Sequence, residues 1–310
     1  MKFKVKGGVY PTMVTPYRDG KIDYAACEAL VEWYWKKGCD GIFAACQSSE
    51  IMYLSLEERV LLTRTVIRKS RELAQSDKSR EPMMIVASGH VSDSFAEQVR
   101  ELNAIAAEGP DALILISNRM DIENTSEDKW IADTEKLIAE LPADMPLGIY
   151  ECPQPYKRLL TEKMIKWCIS TGRFYFVKDT CCDAEEIARR LEWCRGSELK
   201  IFNANAQTLL RTLRDGAYGY CGVMANFHPD LYVRLMNLNP ASREASLLQD
   251  FLGLAANIER LTYPCCAKYY LREIEHIPME IDARSKDVKN FTPYEQDCIR
   301  QLAELSTAVG

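Results

Sequence analysis

The chain has 310 residues, 47% hydrophobic and 27% charged, an ordinary globular composition with apolar material for one large core or two small ones. Its net charge of −6 comes without a basic stripe or a basic amphipathic run, which excludes nucleic-acid and membrane-surface partners. No apolar run approaches the roughly eighteen residues that span a bilayer, and the basic start MKFKVKGGVYPT lacks the apolar core of an export signal, so the expected location is the cytoplasm.

Short β-rich runs alternate with amphipathic stretches of helical length. GVYPTMV (8–14) predicts the first strand. Asp23 then caps the helix YAACEALVEWYWKKG, which Gly38 stops after two lysines. GIFAAC (41–46) predicts the second strand, and Ser55 with Glu58 forms a capping box for the helix after it. SDKSREP (76–82) is a polar loop. MMIVAS (83–88) is followed by a helix that Ser92 caps and Gly109-Pro110 ends. ALILIS (112–117), PLGIYE (146–151), FYFVKD (174–179), LKIFNA (199–204) and YGYCGVM (218–224) complete eight strand-then-helix units, with Thr161 as a further cap.

Eight such units predict an α/β fold, a TIM (β/α)8 barrel, over residues 1–238. Residues 239–310 read as a C-terminal helical extension packed on the barrel. A doubly wound sheet would call for a glycine-rich phosphate loop after its first strand, and none occurs. The twelve cysteines sit singly in apolar segments (Cys27, Cys46, Cys168 and Cys221 among them) or as the adjacent pairs Cys181-Cys182 and Cys265-Cys266. With no CxxC and three dispersed histidines, zinc-site spacing is missing, and the expectation is buried free thiols.

Function in such a barrel gathers where strands end. The polar residues there are Thr12, Thr15, Gln47 to Glu50, Ser117 to Arg119, Tyr150-Glu151, Lys178-Asp179, Asn203, Asn205 and Asn226. They include one amine, Lys178, and one phenol, Tyr150, on neighbouring strands that lie about 4.8 Å apart. A lysine taken out of water favours the neutral amine, the nucleophile that attacks a carbonyl, and a tyrosine hydroxyl beside it can carry the protons. The residues alone leave a second reading open, a strand-end lysine whose stem lies on apolar surface and whose head reaches water. His90 reads as a satisfied structural histidine, and Trp33-Tyr34-Trp35 as packing against the barrel or a neighbouring subunit.

GVYPTMVTPYRDGKID, GIFAACQSSEIMYLSLEER, GIYECP, FVKDT, GAYGYCGVMAN and PCCAKYYL together resemble the dihydrodipicolinate synthase / N-acetylneuraminate lyase family of pyruvate-dependent Schiff-base aldolases, through nearly the whole chain. The resemblance implies that Lys178 forms the imine, Tyr150 relays protons, and Ser48 with the Ser49 N–H holds the keto acid's carboxylate. Gln47 stands where a relay hydroxyl is usual, and Ser49 where glycine is. Asn203, Asn205, Gly222, Val223 and Arg119 are the further candidate substrate contacts.

Departures from the family pattern narrow the substrate. ISNRMD lacks the relay aromatic, YECPQP lacks the arginine that binds the aldehyde's carboxylate, and Asn203-Ala204-Asn205 lacks the acidic pair of the sialate lyases. Val223 replaces a hydroxyl, so the distal pocket reads as less polar. Neither named enzyme is therefore expected. The expectation is a class I aldolase for a 2-keto-3-deoxy acid, needing no metal or organic cofactor and assembled as a homo-oligomer, a tetramer by resemblance. A dehydratase using the same imine, or a barrel that binds keto or sugar acids without turnover, remains the alternative.

Overall fold

In the computed structural model, which describes residues 3–310, the apolar runs become strands and the amphipathic ones helices. The barrel strands are β1 (Gly8–Val9), β4 (Gly41–Ala44), β5 (Met84–Ser88), β6 (Ala112–Ile116), β7 (Leu147–Tyr150), β8 (Phe174–Asp179), β9 (Lys200–Asn203) and β10 (Gly219–Tyr220). A hairpin, β2 (Tyr17–Arg18) with β3 (Lys21–Ile22), stands between β1 and the first helix, α1 (Tyr24–Lys36). The helices α2 (Leu56–Ser76), α3 (Phe95–Ala106), α4 (Glu127–Ala139), α5 (Glu162–Thr171), α6 (Ala184–Trp193), α7 (Leu209–Arg214) and α8 (Pro229–Asn237) follow the remaining strands in turn. All eight barrel strands pair in parallel, in the order β1-β10-β9-β8-β7-β6-β5-β4. A parallel bridge between Thr12 and Phe43 joins the two ends of that order, so the protein is a TIM barrel.

Alternation along each strand sorts side chains between two cores. Phe43, Val86, Ile114, Phe176 and Phe202 belong to the inner cluster, where Phe176 stacks on Phe202 at 4.2 Å. Leu113, Leu115, Leu147, Ile149, Val177 and Ile201 pack with the outer helices. Full burial of each such side chain contributes roughly 1.5–3 kcal/mol.

Helix ends follow the expected caps with one correction. Asp23 Oδ1 accepts from Ala26 N at 3.0 Å, Ser55 and Glu58 form the capping box, and Thr161 Oγ1 accepts from Met164 N at 3.4 Å. Gly38 ends α1 at φ 85°, a conformation glycine adopts without strain. Ser92 does not cap α3, which begins three residues later behind Ser94. Ser92 instead gives its N–H and hydroxyl to the buried Glu101 carboxylate at 3.2 and 2.9 Å, which also pairs with Arg59 at 3.0 Å. A buried carboxylate needs donors more than a helix end open to water does.

Beyond α8 come α9 (Arg243–Ala255), α10 (Cys265–Glu273) and α11 (Pro293–Val309). Their Leu248, Leu252, Leu271, Ile299 and Leu302 share one apolar cluster with Leu30, Val31, Leu231 and Leu235 of α1 and α8. Trp33, Tyr34 and Trp35 are buried in that cluster, and the Tyr34 hydroxyl donates to Asn226 Oδ1 at 2.6 Å. The segment between α10 and α11 crosses the loop after β4. Arg284 pairs with Glu58 at 2.7 Å, and Ser285 N donates to Glu50 at 2.7 Å. Burial pushes the Cys27, Cys168 and Cys221 thiols up, the last to about 12. Among the described residues, no helix is long and apolar enough to cross a membrane.

Candidate active site

At the C-terminal ends of the strands the structure opens a cavity of about 610 Å³, walled by residues of several βα loops and of the extension. Lys178 and Tyr150 are register partners on β8 and β7. On β8 the period of two places Lys178 on the same inward face as Phe176, while Val177 packs outward. Lys178 is only 4% exposed, and its Nζ lies 4.1 Å from the centre of the Tyr150 ring. Among the described residues it makes no hydrogen bond or ion pair, so its nitrogen is open to a ligand in the cavity.

The Tyr150 hydroxyl donates to Gln47 Oε1 at 3.2 Å. Burial holds this phenol well above its ordinary pKa, which keeps it a neutral proton donor. An amide oxygen accepts that proton but has none to pass on, so Gln47 orients the phenol without extending a relay.

Behind the pair lies a buried ionic network. Arg190 reaches from α6 to Glu151 at 2.8 Å and to Asp179, the residues next to Tyr150 and Lys178 in sequence. Glu151 also accepts from Leu160 N at 2.7 Å and Thr180 N at 3.0 Å. Burial and the like charge of Asp179 push the Glu151 carboxyl up to about 7, against the pull of Arg190. The network ties β7, β8 and α6 together at the residues adjacent in sequence to the amine and the phenol.

The loop after β4 is held from both sides. Ser48 Oγ donates to Thr12 Oγ1 at 3.0 Å and lines the cavity. Ser49 requires a correction: its N–H donates to Cys46 O at 3.0 Å and its hydroxyl to Met13 O at 2.7 Å, so both are engaged within the fold. The short 3-10 turn at 47–49 uses the very N–H expected to bind a carboxylate.

Other candidates also fall away from the cavity wall. Asn203 is fully buried, its amide donating to Thr208 and Thr212 at 3.0 and 2.9 Å. Asn205 takes up Thr208 N and its hydroxyl at 3.0 and 2.9 Å. Both asparagines thus bind the turn into α7. Gly222 serves close packing, since a Cβ there would come within 2.3 Å of the Tyr220 ring and 2.6 Å of the Ala204 carbonyl. Arg119 borders a separate cleft, its guanidinium engaged by Asp93 at 2.7 Å and Val91 O at 3.1 Å. Val223 does line the main cavity. His90 accepts Ile116 N–H on Nε2 at 2.6 Å and therefore donates from Nδ1 to Gln98 at 3.0 Å. Burial lowers it to about 4, in keeping with a neutral structural imidazole.

Residues of the cavity wall that sequence reasoning missed are Cys152 and Thr180, Lys157 in the loop after β7, and Glu259, Arg260, Tyr263 and Lys286 in the extension. The first two sit within two residues of strand ends, which is a readable signal. The extension residues carry no local signal at all. They bring charge to the mouth from outside the barrel units.

A parallel barrel with a buried amine and phenol at its C-terminal mouth is the architecture of a barrel enzyme. The model of the dihydrodipicolinate synthetase family matches residues 5–276, and the chain belongs to that family of class I, pyruvate-dependent, aldolase-like lyases. The 4-hydroxy-tetrahydrodipicolinate synthase of Acidithiobacillus ferrooxidans is 24% identical over 256 residues, covering 82% of this chain and 80% of that protein. The 4-hydroxy-tetrahydrodipicolinate synthase 2 of Clostridium acetobutylicum is 24% identical over 283 residues, covering 89% and 92%. A monomeric dihydrodipicolinate synthase variant superposes with TM-score 0.85 at 14% identity, over 100% of this chain and 99% of that one. The sialic acid aldolase of Ruminococcus gnavus superposes with TM-score 0.83 at 18% identity, over 98% and 97%. These likenesses establish the fold, and the protein is a lyase of this family.

Proposed function

We propose that this lyase cleaves or forms a 2-keto-3-deoxy acid through an imine between Lys178 and the substrate's keto carbon, with pyruvate as one product or reactant. The observation that carries the reading is the buried Lys178 amine, free of any ion pair among the described residues, against the Tyr150 ring and open to the cavity. The amine adds to the carbonyl and water leaves, giving a protonated imine. Its nitrogen draws the electron pair of the bond between C3 and C4 as the C4 hydroxyl gives up its proton to become an aldehyde. The resulting enamine takes a proton at C3, and water releases pyruvate from Lys178. Tyr150 moves the protons at the substrate hydroxyl, held in place by Gln47. Ser48, which bonds the Thr12 hydroxyl and interacts with the Tyr263 hydroxyl, turns to the carboxylate.

This chemistry needs neither metal nor organic cofactor. The reading includes a cytoplasmic homo-oligomer, a tetramer as the family resemblance implies, and a catalytic barrel ending at residue 238 with the extension closing one side of its mouth.

Borohydride trapping tests it. An intact mass spectrum after incubation with pyruvate and borohydride gains one adduct in the parent protein and none in Lys178→Ala. A parent protein that stays unmodified with pyruvate and with larger keto acids would overturn the lysine assignment. Product analysis on keto-deoxy acids then separates carbon–carbon cleavage from loss of water.

A further inference from the structure

The cavity wall carries two carboxylates, and their surroundings differ. Glu50 is fully engaged: Ser285 donates to it twice at 2.7 Å and Lys268 pairs with it at 3.3 Å. Glu259, on the 3-10 turn Ala256–Arg260 that ends α9, faces the same cavity as Lys178. Among the described residues it accepts no hydrogen bond and joins no ion pair, although it is half-buried. Burial raises its carboxyl above the usual range, with Lys178 and Arg260 offsetting part of that cost. A half-buried carboxylate without donors is an acceptor waiting for one.

The donor it suits can be narrowed by charge. Lys157, Arg260 and Lys286 are exposed and line the same mouth, so a cationic group would be repelled on its way in. An anionic group can pair with those cations, but it has no proton to give Glu259. What remains is a neutral hydrogen-bond donor on the substrate, and on the carbon chain of a keto acid that donor is a hydroxyl. The imine holds C2 at Lys178 and Tyr150 serves the reacting C4 hydroxyl, which leaves Glu259 for the part of the chain beyond the bond that breaks.

We propose that Glu259 is a specificity-determining residue that accepts a hydrogen bond from a hydroxyl beyond the reacting carbons, so that the aldehyde partner of pyruvate is a hydroxyaldehyde. This rests on the imine reading above. The residue comes from the extension, so the barrel supplies the reaction and the added helices supply the selection.

The test is condensation of pyruvate with aldehyde pairs that differ by one or two hydroxyls: glycolaldehyde against acetaldehyde, and glyceraldehyde against propanal. A hydrogen bond to a charged acceptor predicts a preference of about 10- to 100-fold in kcat/KM for the hydroxylated partner in the parent protein. In Glu259→Leu the preference collapses to within about threefold, and Glu259→Gln, which keeps an acceptor oxygen in the same shape, falls between. The glutamine variant guards against misfolding, and unfolding midpoints of both variants check it.

Retention of the full preference in Glu259→Leu, or its absence in the parent, overturns the assignment. So does a trapped pyruvate adduct with no condensation of any of the four aldehydes. A missing adduct instead overturns the imine reading, and the two failures are thus distinguishable.

Discussion

Lys178 illustrates how one residue's chemistry is set by its neighbours. Its position was readable, because FVKDT places it at a strand end and alternation places it on the inward face beside Phe176. That it forms no ion pair among the described residues was not readable. Asp179 is adjacent in sequence, yet it faces away and is taken up by Arg190. The same holds for Ser49, whose N–H looked available until the 3-10 turn claimed it. His90 supplies a test of how far burial governs a side chain. Its folded pKa of about 4 lies below its ordinary 6.5, so the unfolded chain takes up a proton first as pH falls. Stability from this group is complete above pH 6.5 and lost between 6.5 and about 4, on the order of 3 kcal/mol. Glu151 acts in the opposite direction over part of this range, so the informative quantity is a difference between proteins. Urea midpoints at neutral pH and near pH 4 should show the parent losing on the order of 3 kcal/mol more than His90→Gln. Equal losses would mean that the imidazole takes up its proton within the fold.

The elements were legible wherever periodicity was strong. The eight strands fall within the runs named from the sequence, and most caps sit at the expected residues. The failures are local competitions: Ser92 went to a buried carboxylate, and Asn203 and Asn205 went to the turn before α7. What binds elements to one another around the site was invisible, because it spans distant parts of the chain. Arg190 is the clearest case, since one guanidinium on α6 neutralises carboxylates on the ends of β7 and β8. Arg190→Met would leave two buried carboxylates without their cation, at a cost of about 3–5 kcal/mol. Urea unfolding measures this directly. Borohydride trapping with pyruvate should slow in the same variant, because the strand ends that aim Lys178 and Tyr150 lose their common anchor. A midpoint within about 1 kcal/mol of the parent would show that the carboxylates accept protons and remain in place without it.

For the whole molecule, the extension does more than cover a face. Its apolar residues share a cluster with α1 and α8, its strap holds the loop that carries Gln47 and Ser48, and its 3-10 turn supplies part of the cavity wall. Removal of residues 239–310 would expose that face. Exposure of Leu30, Val31, Leu231 and Leu235 alone forfeits roughly 6–12 kcal/mol, comparable with the entire stability of a typical domain. The shortened chain should therefore show no cooperative thermal transition by circular dichroism. A sharp transition with native ellipticity would mean that the barrel stands alone.

Patterns with a short period were settled along the chain itself: the alternation that makes strands, the helical spacing that makes their partners, and the count of eight units that makes a barrel. The motifs at the strand ends likewise pointed to an amine and a phenol on neighbouring strands. Those features rest on residues a few positions apart, where backbone geometry alone fixes which side chains share a face. The composition of the cavity wall rests on residues more than a hundred positions apart, as with Ser48 and Tyr263 or Lys178 and Lys286. No local rule relates such pairs. They meet because the extension folds back over the mouth to bury its own apolar face, and Glu259, Arg260 and Lys286 arrive with it.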